Sequence, residues 1–138
     1  MCHLLIAKAQ EGTISIQGGN VLELGAGVGI LGIVAVALGA QNVAITEIND
    51  LCRVAIAINV MINGDVLPGL QSKVHIAPLK YGTPDVDKYI KGIGALNQGP
   101  GPLPTYSLIL GTDVVYSDEL IGVASLSTLN LDPNPALI

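Results

Sequence analysis

Val21-Leu22-Glu23-Leu24-Gly25-Ala26-Gly27-Val28-Gly29 joins a short apolar run to three glycines at alternate positions. Val21 to Leu24 predicts a buried strand, and Ile30 to Leu38 predicts a helix. The glycines between them predict a turn where backbone approaches a ligand closely, because glycine lacks a Cβ and accepts positive φ. Glu23 adds a carboxylate where the strand meets the loop.

Outward from this junction, strands alternate with helices. Met1 to Gln10 has helical character and stops near Gly12, and Gly18-Gly19 turns the chain into the first strand. Gly39 stands at the C′ position of the helix Ile30–Leu38. Asn42 to Thr46 predicts a second strand with Glu47 at its end, and Asn49 or Asp50 caps the next helix. In that helix Leu51, Val54, Ala55, Ile58 and Ile62 recur at helical spacing. Lys73 to Leu79 predicts a third strand and Tyr106 to Leu110 a fourth. Between them, residues 82–105 read as a long loop insertion ending in Gly-Pro-Gly-Pro. A last helix from Ser117 or Asp118 is halted by Asp132-Pro133-Asn134-Pro135, and Ala136-Leu137-Ile138 reads as the opening of a fifth strand.

This order predicts an α/β fold with a Rossmann-like, doubly wound, mostly parallel sheet in a single domain over 1–138. In such sheets ligands bind beyond the carboxyl ends of the strands, where the strand order reverses. The glycine loop, Glu47, Leu79 to Tyr81 and Asp113 all fall at that edge.

Composition narrows the function classes. The chain has 138 residues, half of them apolar, with 3% aromatic residues and neither Phe nor Trp, so Ile, Leu, Val and Ala must form its core. Net charge is −5, and the six basic residues, Lys8, Arg53, Lys73, Lys80, Lys88 and Lys91, are scattered. That distribution argues against a nucleic-acid footprint and against an anionic membrane patch. Cys2 and Cys52 suit packed, reduced thiols better than a disulfide framework or a zinc site, and no metal is expected. The apolar run Leu4 to Ala7 lacks a basic leader, and Ile30 to Leu38 is far shorter than the roughly 20 residues that span a bilayer. The expectation is a soluble intracellular protein, cytoplasmic, with the nucleus also open to it.

Gly27-Val28-Gly29-Ile30-Leu31-Gly32 satisfies the dinucleotide pattern GxGxxG, and Glu47 follows Gly27 by 20 positions, about where a ribose acid belongs. An NAD(P)- or FAD-binding oxidoreductase is therefore one reading. Glu23 opposes it, since an anion about 4 Å from a pyrophosphate costs on the order of several kcal/mol at intermediate dielectric. S-adenosylmethionine, with a sulfonium and an ammonium and no phosphate, reverses the sign. Glu47 serves either ligand through both ribose hydroxyls. Plainer roles stay open: Glu23 as a structural acid bonded to loop N–H groups, Glu47 as a helix-capping acid beside Asn49 and Asp50. Asp113 could likewise cap the following helix, and Tyr116 be an ordinary half-buried tyrosine.

Residues 21–29 resemble motif I of the class I, seven-β-strand S-adenosylmethionine-dependent methyltransferases. Thr46-Glu47 is similar to the acidic end of their second strand, and Asn59 and Asn63 to the paired asparagines of the helix after it. Leu108-Ile109-Leu110-Gly111-Thr112-Asp113-Val114-Val115-Tyr116 resembles the Asp-x-x-Tyr motif of the protein-lysine methyltransferase branch, methyltransferase family 16. The resemblance runs from about residue 4 to 126.

It implies S-adenosylmethionine as cofactor, held by Glu23, Gly25, Ala26, Gly27, Gly29, Glu47, Tyr81 and Thr112, with Tyr81 against the adenine. It further implies a protein substrate whose target lysine amine is oriented by Asp113 and Tyr116; His3 and His75 have no part. Against the family's seven strands this chain is expected to be truncated, with four to five. Strand four would then be an exposed edge, open to self-association, and the chain itself could be a non-catalytic fragment.

Overall fold

The computed structural model describes residues 1–80, 105–112 and 131–137, the last of these as backbone. Its elements run α1 (Cys2–Gln10), β1 (Asn20–Leu24), α2 (Ile30–Ala37), β2 (Asn42–Thr46), α3 (Asp50–Asn63), α4 (Leu70–Lys73), β3 (Val74–Ala77), β4 (Tyr106–Gly111) and β5 (Leu131–Leu137). The strands form one parallel sheet in the order β3-β2-β1-β4-β5. From β1 the chain steps outward to β2 and β3, then returns to lay β4 on the other side of β1. The order reverses between β1 and β4, as the doubly wound reading requires.

Strands with apolar residues on both sides suit a sheet buried on both sides. Val21, Val43, Ile45, Leu108 and Leu110 point one way and are 0–1% exposed. With Leu31, Ala35, Val36, Ile56 and Val60 from α2 and α3 they form the main core. On the opposite face Leu22, Ala44 and Ile109 are buried as well. None of the described helices is long and apolar enough to cross a membrane.

Three sequence expectations need correction, and α3, where it was expected, shows which of its stripes faces inward. A short helix, α4, precedes β3, whose strand pairing covers Val74–Ala77 rather than Lys73 to Leu79. In α3 the predicted apolar positions recur, but Leu51, Val54, Ile58 and Ile62 lie on the solvent side, and Ile56 and Val60 are the buried pair. The Asp132-Pro133-Asn134-Pro135 run is part of β5, which begins at Leu131. Prolines lack the N–H a central strand needs but are accommodated at an edge or a bulge, and the β4–β5 register shifts between Tyr106 and Leu108. With β5 beside it, β4 has neighbours on both sides and is not an edge. The 82–105 loop and the helix from Ser117 lie outside the described residues, apart from Thr105.

Candidate functional site

The carboxyl ends of β1, β2 and β4 bring the glycine loop, Glu47 and Thr112 together. Leu24 pairs with Gly111, so Gly25 and Thr112 leave adjacent strands side by side at the switch point. Gly25, Gly27 and Gly29 all have positive φ, at 57°, 55° and 74°. At Gly27 the space where a Cβ would stand is open for 4 Å, so the backbone there faces a void. At Gly29 a Cβ would come within 2.9 Å of Ile56, and the glycine lets α3 close over the loop.

Hydrogen bonds from three elements hold the loop in shape. The Ala26 N–H donates to the Thr46 carbonyl at 3.0 Å, and the Gly29 N–H to the Ala26 carbonyl at 2.8 Å. The Gly27 N–H donates to Glu47 Oε2 at 2.9 Å. From α3, Asn59 Nδ2 donates to the Val28 carbonyl at 2.9 Å, and Asn63 Nδ2 to the Asn59 carbonyl at 2.8 Å. Beneath the loop the Thr46 hydroxyl donates to the Glu23 carbonyl at 2.7 Å.

Glu23 lies elsewhere than a contact with ligand would require. Its position shares the strand face of Val21, which turns the side chain toward α2, and it is 2% exposed. Its Oε2 accepts the Gly32 N–H at 2.8 Å. Burial pushes its pKa up to about 7, against the lowering effect of the Gly32 and Leu31 N–H groups. Glu23 is thus the structural acid of the plainer reading, satisfying donors in the first turn of α2 that would otherwise lack partners. Gly32 makes this possible, because a Cβ there would come within 2.6 Å of Ile45 and 2.8 Å of the Glu23 carboxylate.

Glu47 is half-buried and bridges two elements. Oε2 holds the glycine loop, and Oε1 accepts the Asn49 N–H at 3.0 Å. An ionised carboxylate has about four lone-pair sites, so roughly two remain beyond these bonds. That matches a ribose with two hydroxyls. Asn49 caps α3, its Oδ1 accepting from the N–H groups of Leu51 and Cys52.

Charge now separates the ligand classes by a different route from the one expected. A pyrophosphate on a glycine loop needs free N–H groups at the helix N-terminus. Here Glu23 already engages the Gly32 and Leu31 donors, and Glu47 the Gly27 donor. A phosphate would compete with two carboxylates for these groups. A cationic nucleoside without phosphate would not.

Two residues, Arg53 and Ile48, entered the site unannounced by the sequence, and a third, Thr46, has a role that its motif did not show. Thr46, fully buried, ties β2 to β1. Arg53 donates to the carbonyls of Glu47 and Ile48 at 2.9 and 2.8 Å and pairs with Asp50, fixing the backbone that carries Glu47. Its spacing of three from Asp50 within the helix was the available signal. Ile48, next to Glu47, leaves 54% of its surface open to solvent, an apolar wall at the rim of the cleft. His75 lies in β3, half-buried, its pKa lowered by that burial. Tyr81, Asp113 and Tyr116 lie outside the described residues.

The family model described as lysine methyltransferase matches residues 1–131. Protein N-lysine methyltransferase METTL21A of Danio rerio is 35% identical over 110 residues, 80% of this chain and 43% of that protein. The METTL21A protein of Xenopus tropicalis is 33% identical over 127 residues, 91% of this chain and 49% of its own length. The chain therefore spans about half the length of the curated relatives it matches. Among solved structures, an S-adenosylmethionine dependent methyltransferase from Mesorhizobium loti aligns with a TM-score of 0.61 at 13% identity, over 95% of this chain and 49% of that one. That likeness concerns the fold.

Proposed function

The chain belongs to the lysine methyltransferase family, and from that premise we propose that its cleft holds S-adenosylmethionine for methyl transfer to the side-chain amine of a protein lysine. The observation that carries this reading is the engagement of backbone donors in the glycine loop by Glu47 and in the first turn of α2 by Glu23, which leaves a site suited to a positively charged nucleoside.

The described residues fit such a ligand. Glu47 offers its remaining acceptor positions to the ribose hydroxyls, and the open space over Gly27 admits the methionine portion alongside Gly25 and Ala26. Ile48 gives the adenine an apolar surface. Thr112 stands across the switch point from Gly25. When bound, S-adenosylmethionine supplies an electrophilic methyl group on a positively charged sulfur.

The protein's own task is to present the amine. A lysine of ordinary pKa near 10.4 is protonated at neutral pH and has no lone pair to give. Withdrawal from water favours the neutral amine, and alignment with the methyl group supplies a large part of the acceleration. By resemblance, Tyr81 covers the adenine while Asp113 and Tyr116 orient the amine. The same proposal places the protein in the cytoplasm, with the nucleus open to it, consistent with two unjoined thiols, Cys2 and Cys52.

Incubation with methyl-labelled S-adenosylmethionine and whole-cell protein tests the proposal. Label in lysine side chains of protein, reduced at least about tenfold by Glu47→Ala through weakened ribose contacts, is the expected result. Label appearing in small molecules alone would overturn the substrate class.

A further inference from the structure

The outward face of α3 has no role in the site and is unusual for a surface helix. Leu51, Val54, Ile58 and Met61 are 80, 57, 49 and 59% exposed. They follow one another at steps of three, four and three, the a/d spacing of a helix that packs along another helix. Ile56 and Val60, on the opposite side, hold α3 to its own domain. Beside the seam stand Ala55 and Ala57, small enough to let a second helix approach closely. From Val54 to Gly64 the sequence carries no charged residue. Surface helices normally turn a polar face to water, and a contiguous apolar patch of this kind marks an interaction site.

We propose that α3 is the interface of a homodimer, packed antiparallel against α3 of a second copy, with Leu51 opposite Met61 and Val54 opposite Ile58 of that copy. Three features favour a second copy over a different partner. With a net charge of −5, the chain repels its own kind over most of its surface, yet this seam brings no like charges together. The seam offers no charged group to select an acidic or a basic partner. Its area is also sufficient. The four seam side chains and Ile62 each expose on the order of 100 Å², so two copies cover roughly 1,000 Å², the lower bound for a specific interface. Antiparallel pairing sets each helix N-terminus beside the partner helix's C-terminus, so the two macrodipoles attract.

Sedimentation velocity of the full chain between about 1 and 100 µM tests the proposal. The expected result is a species of twice the 14.1 kDa chain mass. Val54→Glu and Ile58→Lys should each sediment as monomers with unchanged helix content, since each sets two unpaired charges in an apolar seam. Mixed in equal amounts they should associate again, because the two substituted positions face each other with opposite charge. If either variant loses helix content, Leu51→Glu with Met61→Lys makes the same test one layer outward. A monomeric wild-type chain throughout that range, or assembly beyond a dimer, would overturn the proposal. So would a single variant that still dimerises, or a mixture that stays monomeric.

Discussion

Glu23 and Glu47 stand at the ends of neighbouring strands, yet their surroundings give them different work. Half-buried Glu47 accepts from the glycine loop and keeps acceptor positions beyond its two bonds, while Glu23 turns inward to the first turn of α2. Glu23 has a pKa raised by burial from 4.5 to about 7. Between those values the native state retains a proton that the unfolded chain releases, so stability falls as pH rises through the window and levels off above pH 7. The span is about 3 kcal/mol at most. Glu23→Gln keeps an acceptor for Gly32 and has no charge to desolvate. Urea unfolding from pH 4.5 to 8 should therefore show this falling contribution in the wild type and not in the variant, which keeps only the rise with pH that the lowered pKa of His75 gives both proteins. Gly32→Ala should lower stability by about 1–3 kcal/mol, because its methyl group enters space held by Ile45 and the Glu23 carboxylate. Equilibrium denaturation measures it directly. The position of Glu47 was legible from its spacing behind the glycines. The inward turn of Glu23 was not, since Val21 to Leu24 is apolar on both sides and no alternation marks which face meets α2.

At the scale of elements, α3 shows both the reach and the limit of periodicity. Its existence, its start and a cap at Asn49 or Asp50 follow from the sequence, and the structure selects Asn49, which accepts from two N–H groups. Asn49→Ala should cost about 1 kcal/mol of stability by thermal or chemical unfolding. Which stripe faces inward was hidden, because α3 is apolar nearly all round and two stripes compete. Only the fold shows that Ile56 meets Gly29 and the core. Ile56→Ala is thus expected to lose about 2–4 kcal/mol in the same measurement, the cost of a cavity in a closely packed core. The strands β1, β2 and β4 were legible for a simpler reason: short β-branched and leucine runs bounded by glycine or asparagine have few other uses. α4 escaped notice because four residues make barely one turn, and one turn cannot show a repeat.

Across the whole molecule, the order β3-β2-β1-β4-β5 places the glycine loop, Glu47 and Thr112 at one edge without any of them being near in sequence. The alternation of strands and helices made that convergence readable before the structure. The extent of the sheet was less so: prolines argue against a strand, and β5 contains two, tolerated where the ladder with β4 shifts register. The proposed function requires this edge to hold a cationic nucleoside without phosphate. Calorimetric titration of the protein with S-adenosylhomocysteine, and separately with NAD, addresses it most directly. The expected result is saturable one-to-one binding of S-adenosylhomocysteine, weakened roughly thirtyfold by Glu47→Ala as about 2 kcal/mol of ribose hydrogen bonding is lost, and no binding of NAD. Binding of NAD, or of neither compound, would contradict it.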